Sequence, residues 1–253
     1  MIPAFARRIG EVLRDSGRIW LLAPLIPFIA IVPEFIQHVA EINMGMFDDV
    51  ETARAVSNSD ERWAYGYAKL AGYGLAILAT IRFWAARREG LPWWSPKGIA
   101  WKVFGIALIA NVAVGLLGEA VNMATSGLGE TAVQAVEIAF AIATLPVVVL
   151  LVAGLVGDRE ATLLSVFRSG WGAALRIVIL SAIVLAPLMW LHSQNHYWAM
   201  GQSDALVWTL MVFDSLVVGL LAVAWGTAIH HGYRPLRVAD EGQEGQDPDF
   251  TPA

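Results

Sequence analysis

Asp214 is the residue of this sequence best placed to do chemistry, because it stands inside a long apolar stretch next to residues such as Met211 and Val218. A carboxyl group in hydrocarbon should be protonated or hydrogen-bonded. Asn111 lies at a similar depth in another apolar stretch and is the candidate partner. The pair predicts either a proton or cation relay or a structural interhelical hydrogen bond, which would contribute about 0.6–2 kcal/mol.

Two further pairs of ionisable residues lie near the ends of apolar stretches. Glu34 and Lys69 stand at matched depth in consecutive stretches, and a buried ion pair that fixes packing is the simplest arrangement for them. His192 and His196 have the i, i+4 spacing of a metal pair on a helix. Two histidines without a third ligand do not define a metal site, and polar residues at a membrane interface are the alternative interpretation. We predict no cofactor.

Six apolar stretches must position these residues. The chain has 253 residues, of which 57% are hydrophobic and 15% charged, whereas soluble domains average about 45–50% and about 25%. Each stretch is continuous rather than alternating and is long enough for a membrane-crossing helix. We predict an all-α membrane domain over residues 1–237. Its spans cover residues 19–40, 63–84, 99–123, 132–156, 173–192 and 205–229.

The distribution of basic residues predicts the orientation. Fourteen of the 17 Lys and Arg residues fall on one side of a six-span topology, and that side should be cytoplasmic. Both termini are then cytoplasmic, and the membrane is predicted to be a bacterial inner membrane. The opposite side is acidic, which indicates either a solvated surface or a vestibule that attracts cations. Residues 238–253 form an acidic tail that we expect to be disordered.

Basic, aromatic-rich segments precede the first, third and fifth spans, so the spans are predicted to form three hairpins. Each segment is predicted to be an amphipathic helix at the cytoplasmic interface. Their apolar or aromatic residues are Phe5, Ile9, Val12 and Leu13; Trp93 and Trp94; and Leu163, Leu164, Phe167 and Trp171.

One of these segments carries a resemblance. Residues 161–171, ATLLSVFRSGW, run into the fifth span. They resemble a recurring element of YciC-like bacterial inner-membrane proteins and of the membrane domains fused to some glycerophosphodiester phosphodiesterases. The likeness covers these eleven residues well and the six-span layout loosely. It implies architecture, and it brings no catalytic motif.

The sequence favours a protein that is not an enzyme. It has no cysteine, no phosphate-binding Gly-Lys loop and no zinc-protease motif, and its connections are too short for a soluble catalytic domain. We predict a membrane scaffold or partner subunit; the alternative is a small transporter or channel that uses Asp214 and Asn111. Expected partners are the lipid bilayer, anionic headgroups at the cytoplasmic face, and another membrane protein or a second copy, but not nucleic acid.

Overall fold

The structure is a computed structural model that describes residues 2–235. Met1 and residues 236–253, which include the predicted acidic tail, lie outside the described residues. Every regular element of the described part is an α-helix. The helices are α1 Ile2–Leu22, α2 Leu25–Asn43, α3 Val50–Ser57, α4 Asp60–Arg88, α5 Trp101–Thr125, α6 Glu130–Thr144, α7 Pro146–Leu155, α8 Leu163–Ser169, α9 Trp171–Ala199 and α10 Asp204–Tyr233.

Five stretches within residues 2–235 are long and apolar enough to cross a membrane. They are α2, α5, α6 taken together with α7, α9 and α10. The predicted second span falls in α4, which has 29 residues but carries Lys69 and Arg82 among its apolar side chains. The prediction of an all-α fold with helices suited to a membrane is confirmed, and the crossing of α4 remains a prediction.

The predicted first span is divided at Pro24. Helix α1 ends at Leu22 and α2 begins at Leu25, because proline lacks a backbone N–H and restricts the residue before it. The first helix that is long and apolar enough to cross a membrane therefore begins at Leu25, whereas the predicted span begins at residue 19. Helix α1 packs mainly against α10 and buries Val12 and Ile19 completely. A helix is therefore present before the predicted first span, and its place at the cytoplasmic interface stays a prediction.

Helices α2, α4, α9 and α10 form a central bundle in which α10 packs against each of the other three. Its apolar core includes Ala30, Ala76, Val217 and Leu221. Small residues permit close approach, as at Gly226 of α10, which lies directly against α4. This bundle brings together the helices that carry the polar residues described below.

Helices α5, α6 and α7 form a second group beside the bundle. Pro146 separates α6 from α7, so the predicted fourth span consists of two helices. Gly154 of α7 lies so close to α5 that a Cβ atom would be 2.6 Å from the backbone of Phe104. No described side chain of α6 is buried. This part of the hairpin therefore stands apart from the bundle.

The prediction of an interfacial helix before the third span is wrong. Residues 89–100 form turns and irregular structure, because Pro92 and Pro96 have no N–H to donate to a helix. Arg82 of α4 holds this segment in place instead. Its guanidinium donates hydrogen bonds to the carbonyl of Lys97 and, at 3.3 Å, to that of Leu155.

A short helix is present before the fifth span, as predicted. Helix α8 is seven residues long, and Thr162 and Ser165 cap its N-terminus reciprocally, each side chain accepting from the other's backbone N–H. Val166 is its buried residue and packs in the cluster around α7. The helix therefore turns the chain from α7 into α9.

Candidate functional site

One face of α2 carries four polar side chains into the central bundle. They are Glu34, Gln37, His38 and Glu41, and each is at most 2% exposed. Their i, i+3, i+4 and i+7 spacing places them on the same side of a helix. Ionisable groups at such positions are costly in a membrane helix unless they have partners, and the neighbouring helices supply them.

Asp214 of α10 is fully buried at the point where three histidines converge. Its Oδ2 atom lies 3.0 Å from Nε2 of His38 and 2.8 Å from Nδ1 of His192. Nε2 of His196 is 3.6 Å from the same oxygen, which is too long for a hydrogen bond. The amide of Asn195 donates to the other oxygen, Oδ1, at 2.8 Å. Asp214 therefore joins α2, α9 and α10.

Helix α4 supplies two basic side chains to this cluster. Nζ of Lys69 lies 2.8 Å from Oε1 of Glu34, and Nε of Arg62 lies 2.8 Å from Oε1 of Glu41. The two acids and the two bases have the same separation along their helices, in opposite chain directions. Two matched ion pairs therefore hold α2 against α4, and the structure brings together Glu34 and Lys69, which the sequence paired.

His38 faces carboxylate oxygens with both of its ring nitrogens. Nδ1 is 2.9 Å from Oε2 of Glu41, and Nε2 is close to Asp214 and 3.2 Å from Oε1 of Glu34. A neutral imidazole has one N–H and cannot donate in both directions, and an ionised carboxylate only accepts. Either an additional proton or another cation is needed between these groups.

Some acceptor atoms of the cluster have no donor. Glu34 Oε2, Gln37 Oε1 and Asn195 Oδ1 are buried and have no hydrogen-bond partner among residues 2–235. A buried polar atom left unpaired costs about 1–3 kcal/mol, and folded proteins contain few of them. Three such atoms in one cluster leave unused acceptor capacity for a hydrogen-bond donor or a cation.

Two overlapping sets of side chains have the spacing required to hold a metal ion. The first comprises His38, His196 and Asp214, and the second comprises Glu34, His192 and Asp214. Within each set, the ligand atoms lie within 4.8 Å of one another. Asp214 belongs to both sets, so it is the centre of the arrangement.

An apolar cap covers the cluster at the end of the bundle where α2 leads into α3. The ring of Phe47 lies 5.8 Å from that of His196, centroid to centroid. Phe47 packs with Met46, Val56 and Met211 in a single hydrophobic cluster. Among the candidate metal ligands, His192 and His196 are partly exposed, with side chains 16% and 23% exposed.

The predicted pairing of Asp214 with Asn111 is corrected by the structure. The amide of Asn111 donates at 2.8 Å to the carbonyl of Ala107, one turn earlier on α5. Helix α5 packs against α6 and α7, whereas Asp214 faces the histidines of α2 and α9. Similar depth in two apolar helices did not mean proximity, because the helices belong to different groups.

His38, Glu41, Arg62 and Asn195 are members of the site that the sequence analysis missed. The signal that could have found His38 and Glu41 is the polar stripe on α2, since Glu34, His38 and Glu41 recur at helical spacing in an otherwise apolar stretch. The sequence predicts His192 and His196 as a candidate pair, and His38 is the third histidine near them.

A second polar network lies at the other end of the bundle, where α1 meets α10. Nε2 of His231 is 3.1 Å from Oδ2 of Asp15, and Arg8 donates to the carbonyl of His231 at 2.6 Å. Burial raises the pKa of Asp15, but the hydrogen bond and charge of His231, together with Arg14, outweigh it and leave that pKa below its usual 3.8. This network fixes α1 to the bundle.

No family model, curated protein or solved structure matches the chain. The resemblance of residues 161–171 to YciC-like proteins and phosphodiesterase membrane domains therefore stays a prediction, and the function must be argued from the site itself.

Proposed function

We propose that the chain is a six-span protein of a bacterial inner membrane, with α4 as the sixth span and both termini in the cytoplasm. At about 1.5 Å per residue, the 29 residues of α4 are more than long enough to cross. Its ion pairs with α2 reduce the cost of carrying Arg62 and Lys69 into the membrane. The positive-inside distribution of Lys and Arg also supports this topology.

In this topology the polar cluster lies at a common depth towards the outer side. Asp214 is ten residues from the outer end of α10, or about 15 Å, and Lys69 is nine residues from the outer end of α4. His38 and His196 lie nearer the outer ends of α2 and α9. The contacts of Asp214 with His38 and His192, and that of Lys69 with Glu34, place these groups at one level although the outer ends of the four helices are not aligned.

We propose that this cluster binds a cation taken from the outer side of the membrane. The observation that carries the proposal is the convergence of three histidines on the buried carboxylate of Asp214. Three carboxylates in the cluster face two basic side chains of α4, so one negative charge is left over when the acids and bases are all charged and the histidines are neutral. A polar network of this kind is not needed for helix packing, because buried ion pairs are often no more stabilising than apolar residues of similar volume.

The acidic residues outside the site support the same direction of entry. The connection between α2 and α4 contains Asp48, Asp49 and Glu51, which border the apolar cap. Exposed acidic groups raise the local concentration of cations. The spans also expose many apolar side chains. We propose that the bilayer covers them.

The test is a cation panel on the purified full chain in detergent, without a polyhistidine tag. Na⁺, K⁺, Mg²⁺, Ca²⁺, Mn²⁺, Co²⁺, Ni²⁺ and Zn²⁺ are added separately after chelation, and thermal unfolding is followed. A ligand that binds only the folded state at 100 times its Kd stabilises by about 2.7 kcal/mol. At least one cation should raise the Tm of the wild type but not that of Asp214→Asn.

Asp204→Asn is the matched control, since it makes the same change at an exposed position on the same helix. It should keep the cation-induced shift. If no cation stabilises the wild type, the proposal is wrong, and the cluster serves packing in a membrane scaffold.

A further inference from the structure

We infer that the cation is a divalent transition-metal ion of the zinc class, bound by Nε2 of His38, Nε2 of His196 and Oδ2 of Asp214. Glu34 and His192 stand beside these atoms to complete the ligand set. This inference rests on the proposed function and names the chemical class of its ligand.

The chemical types of the candidate ligand atoms indicate which class of metal ion the site would bind. The two sets of candidate ligands contain three imidazoles and two carboxylates. Imidazole nitrogen suits Zn²⁺, Co²⁺, Ni²⁺ and related ions. Mg²⁺ and Ca²⁺ prefer sites built entirely from oxygen atoms. A centre in which histidine supplies most of the ligands therefore discriminates against the alkaline-earth ions.

The distances around Asp214 suit a tetrahedral ion. Metal–ligand bonds of about 2.0–2.1 Å place neighbouring ligand atoms about 3.3–3.4 Å apart. The distances from Asp214 Oδ2 to Nε2 of His38 and of His196 are 3.0 Å and 3.6 Å, on either side of that value. The longer distance exceeds that of a hydrogen bond but is within the spacing of two ligands that share one ion.

The surrounding groups are those that orient metal ligands. In metal sites, the ring nitrogen that does not bind the ion usually donates to a carboxylate or carbonyl. Nδ1 of His38 lies 2.9 Å from Glu41. Glu41 is itself held by the amide of Gln37 at 2.6 Å and by Arg62 at 2.8 Å. The ring of His38 is thereby fixed with Nε2 directed at Asp214.

Two other groups complete this arrangement. The amide of Asn195 occupies Oδ1 of Asp214, which orients Oδ2 towards His38 and His196. Glu34 is fully buried, and its Oε2 atom has no hydrogen-bond partner in the described part of the chain. Its other oxygen lies 3.2 Å from Nε2 of His38, so the unsatisfied carboxylate is within the centre and is available to a metal.

The inference is tested on the purified, untagged full chain after removal of metal by chelation. Zn²⁺, Co²⁺, Mg²⁺ or Ca²⁺ is added, excess ion is removed by gel filtration, and the retained metal is measured by mass spectrometry. We expect about one Zn²⁺ or Co²⁺ per chain and no retained Mg²⁺ or Ca²⁺. X-ray absorption of the Zn²⁺ form should show nitrogen and oxygen neighbours at about 2.0–2.1 Å, with the signature of imidazole.

Two substitutions distinguish residues that bind the metal from residues that only orient a metal ligand. His38→Gln should weaken Zn²⁺ binding by at least about 100-fold, whereas Glu41→Gln, which acts through His38, should weaken it by about 10- to 100-fold. His230→Gln is the matched control, because His230 is equally buried but lies at the opposite end of the bundle, and it should bind as the wild type does. Gel-filtration profiles without metal establish that each variant is folded.

The outcomes distinguish this inference from the proposed function. Retention of Mg²⁺ or Ca²⁺, with loss in Asp214→Asn, would leave cation binding intact and overturn the transition-metal assignment. Zn²⁺ binding that His38→Gln leaves unchanged, or an absorption spectrum without imidazole, would overturn the ligand set. If no cation binds at all, both proposals fail. The absorption measurement uses the wild type alone and remains decisive if a variant does not fold.

Discussion

The imidazole of His38 and the carboxylate of Asp214 are 176 residues apart in the chain, yet they meet with Nε2 3.0 Å from Oδ2, and neither side chain is exposed. This contact links the first predicted span to the last. The environment of each residue depends on the other, because removal of either one leaves its partner buried with one polar neighbour fewer.

We expect strong coupling between His38 and Asp214 in a double-mutant cycle. The single variants His38→Gln and Asp214→Asn should each destabilise the metal-free protein, by about 3–5 kcal/mol if the pair is charged. The double variant should be less destabilised than the sum, with a coupling of about 1–3 kcal/mol. Thermal or denaturant unfolding of the purified protein measures the cycle. Additive effects would show that the contact contributes little.

Much of the fold follows from local features of the sequence. Continuous apolar stretches predict helices, but the spans predicted over residues 19–40 and 132–156 run through Pro24 and Pro146, where the structure has breaks. The extent of those interruptions was not evident beforehand, because proline at the start of a helix is tolerated and proline within one often only bends it. Pro33 and Pro187 indeed lie inside α2 and α9.

The site was harder to predict, because its members come from helices whose lateral arrangement the sequence does not encode locally. Lys69 was paired with Glu34 from depth and adjacency alone, and the structure brings the two together. The same depth argument failed for Asn111, since α5 does not belong to the central bundle. Helix neighbours depend on small residues and complementary surfaces distributed over the whole chain, as at Gly226.

The contact between Asp15 and His231 should make the stability of the protein depend on pH. Because the folded-state pKa of Asp15 is below 3.8, the contact contributes stability above the unfolded-state pKa and loses it as pH falls through the lowered value. Asp15→Asn should therefore lower the Tm at pH 6, and its difference from the wild type should narrow below about pH 4. Tm is measured for both proteins across this range. A constant difference would contradict the assignment.

Gly226 should tolerate no side chain, because α10 and α4 touch there. A Cβ atom would lie 2.6 Å from Cβ of Thr80 and 2.7 Å from the carbonyl oxygen of Ile77. We expect Gly226→Ala to destabilise the protein by about 1–3 kcal/mol through overpacking. The matched control is Gly115→Ala on α5, where nothing lies within 4 Å, and it should be neutral or stabilising by up to about 1 kcal/mol. Unfolding measurements that rank the two variants equally would argue against close contact.

Reporter fusions test the six-span topology and decide whether α4 crosses the membrane. Fusions after Asn58 and Gly127 should report the outer side, and fusions after Glu89 and Ala253 the cytoplasm, because the basic connections remain inside. Asn58 and Glu89 flank α4, so this pair is decisive for that helix. A paired fluorescent and alkaline-phosphatase reporter at each position supplies its own control for expression. If both positions report the same side, α4 does not cross, and the ion pairs of Lys69 and Arg62 would hold it against the bundle without spanning.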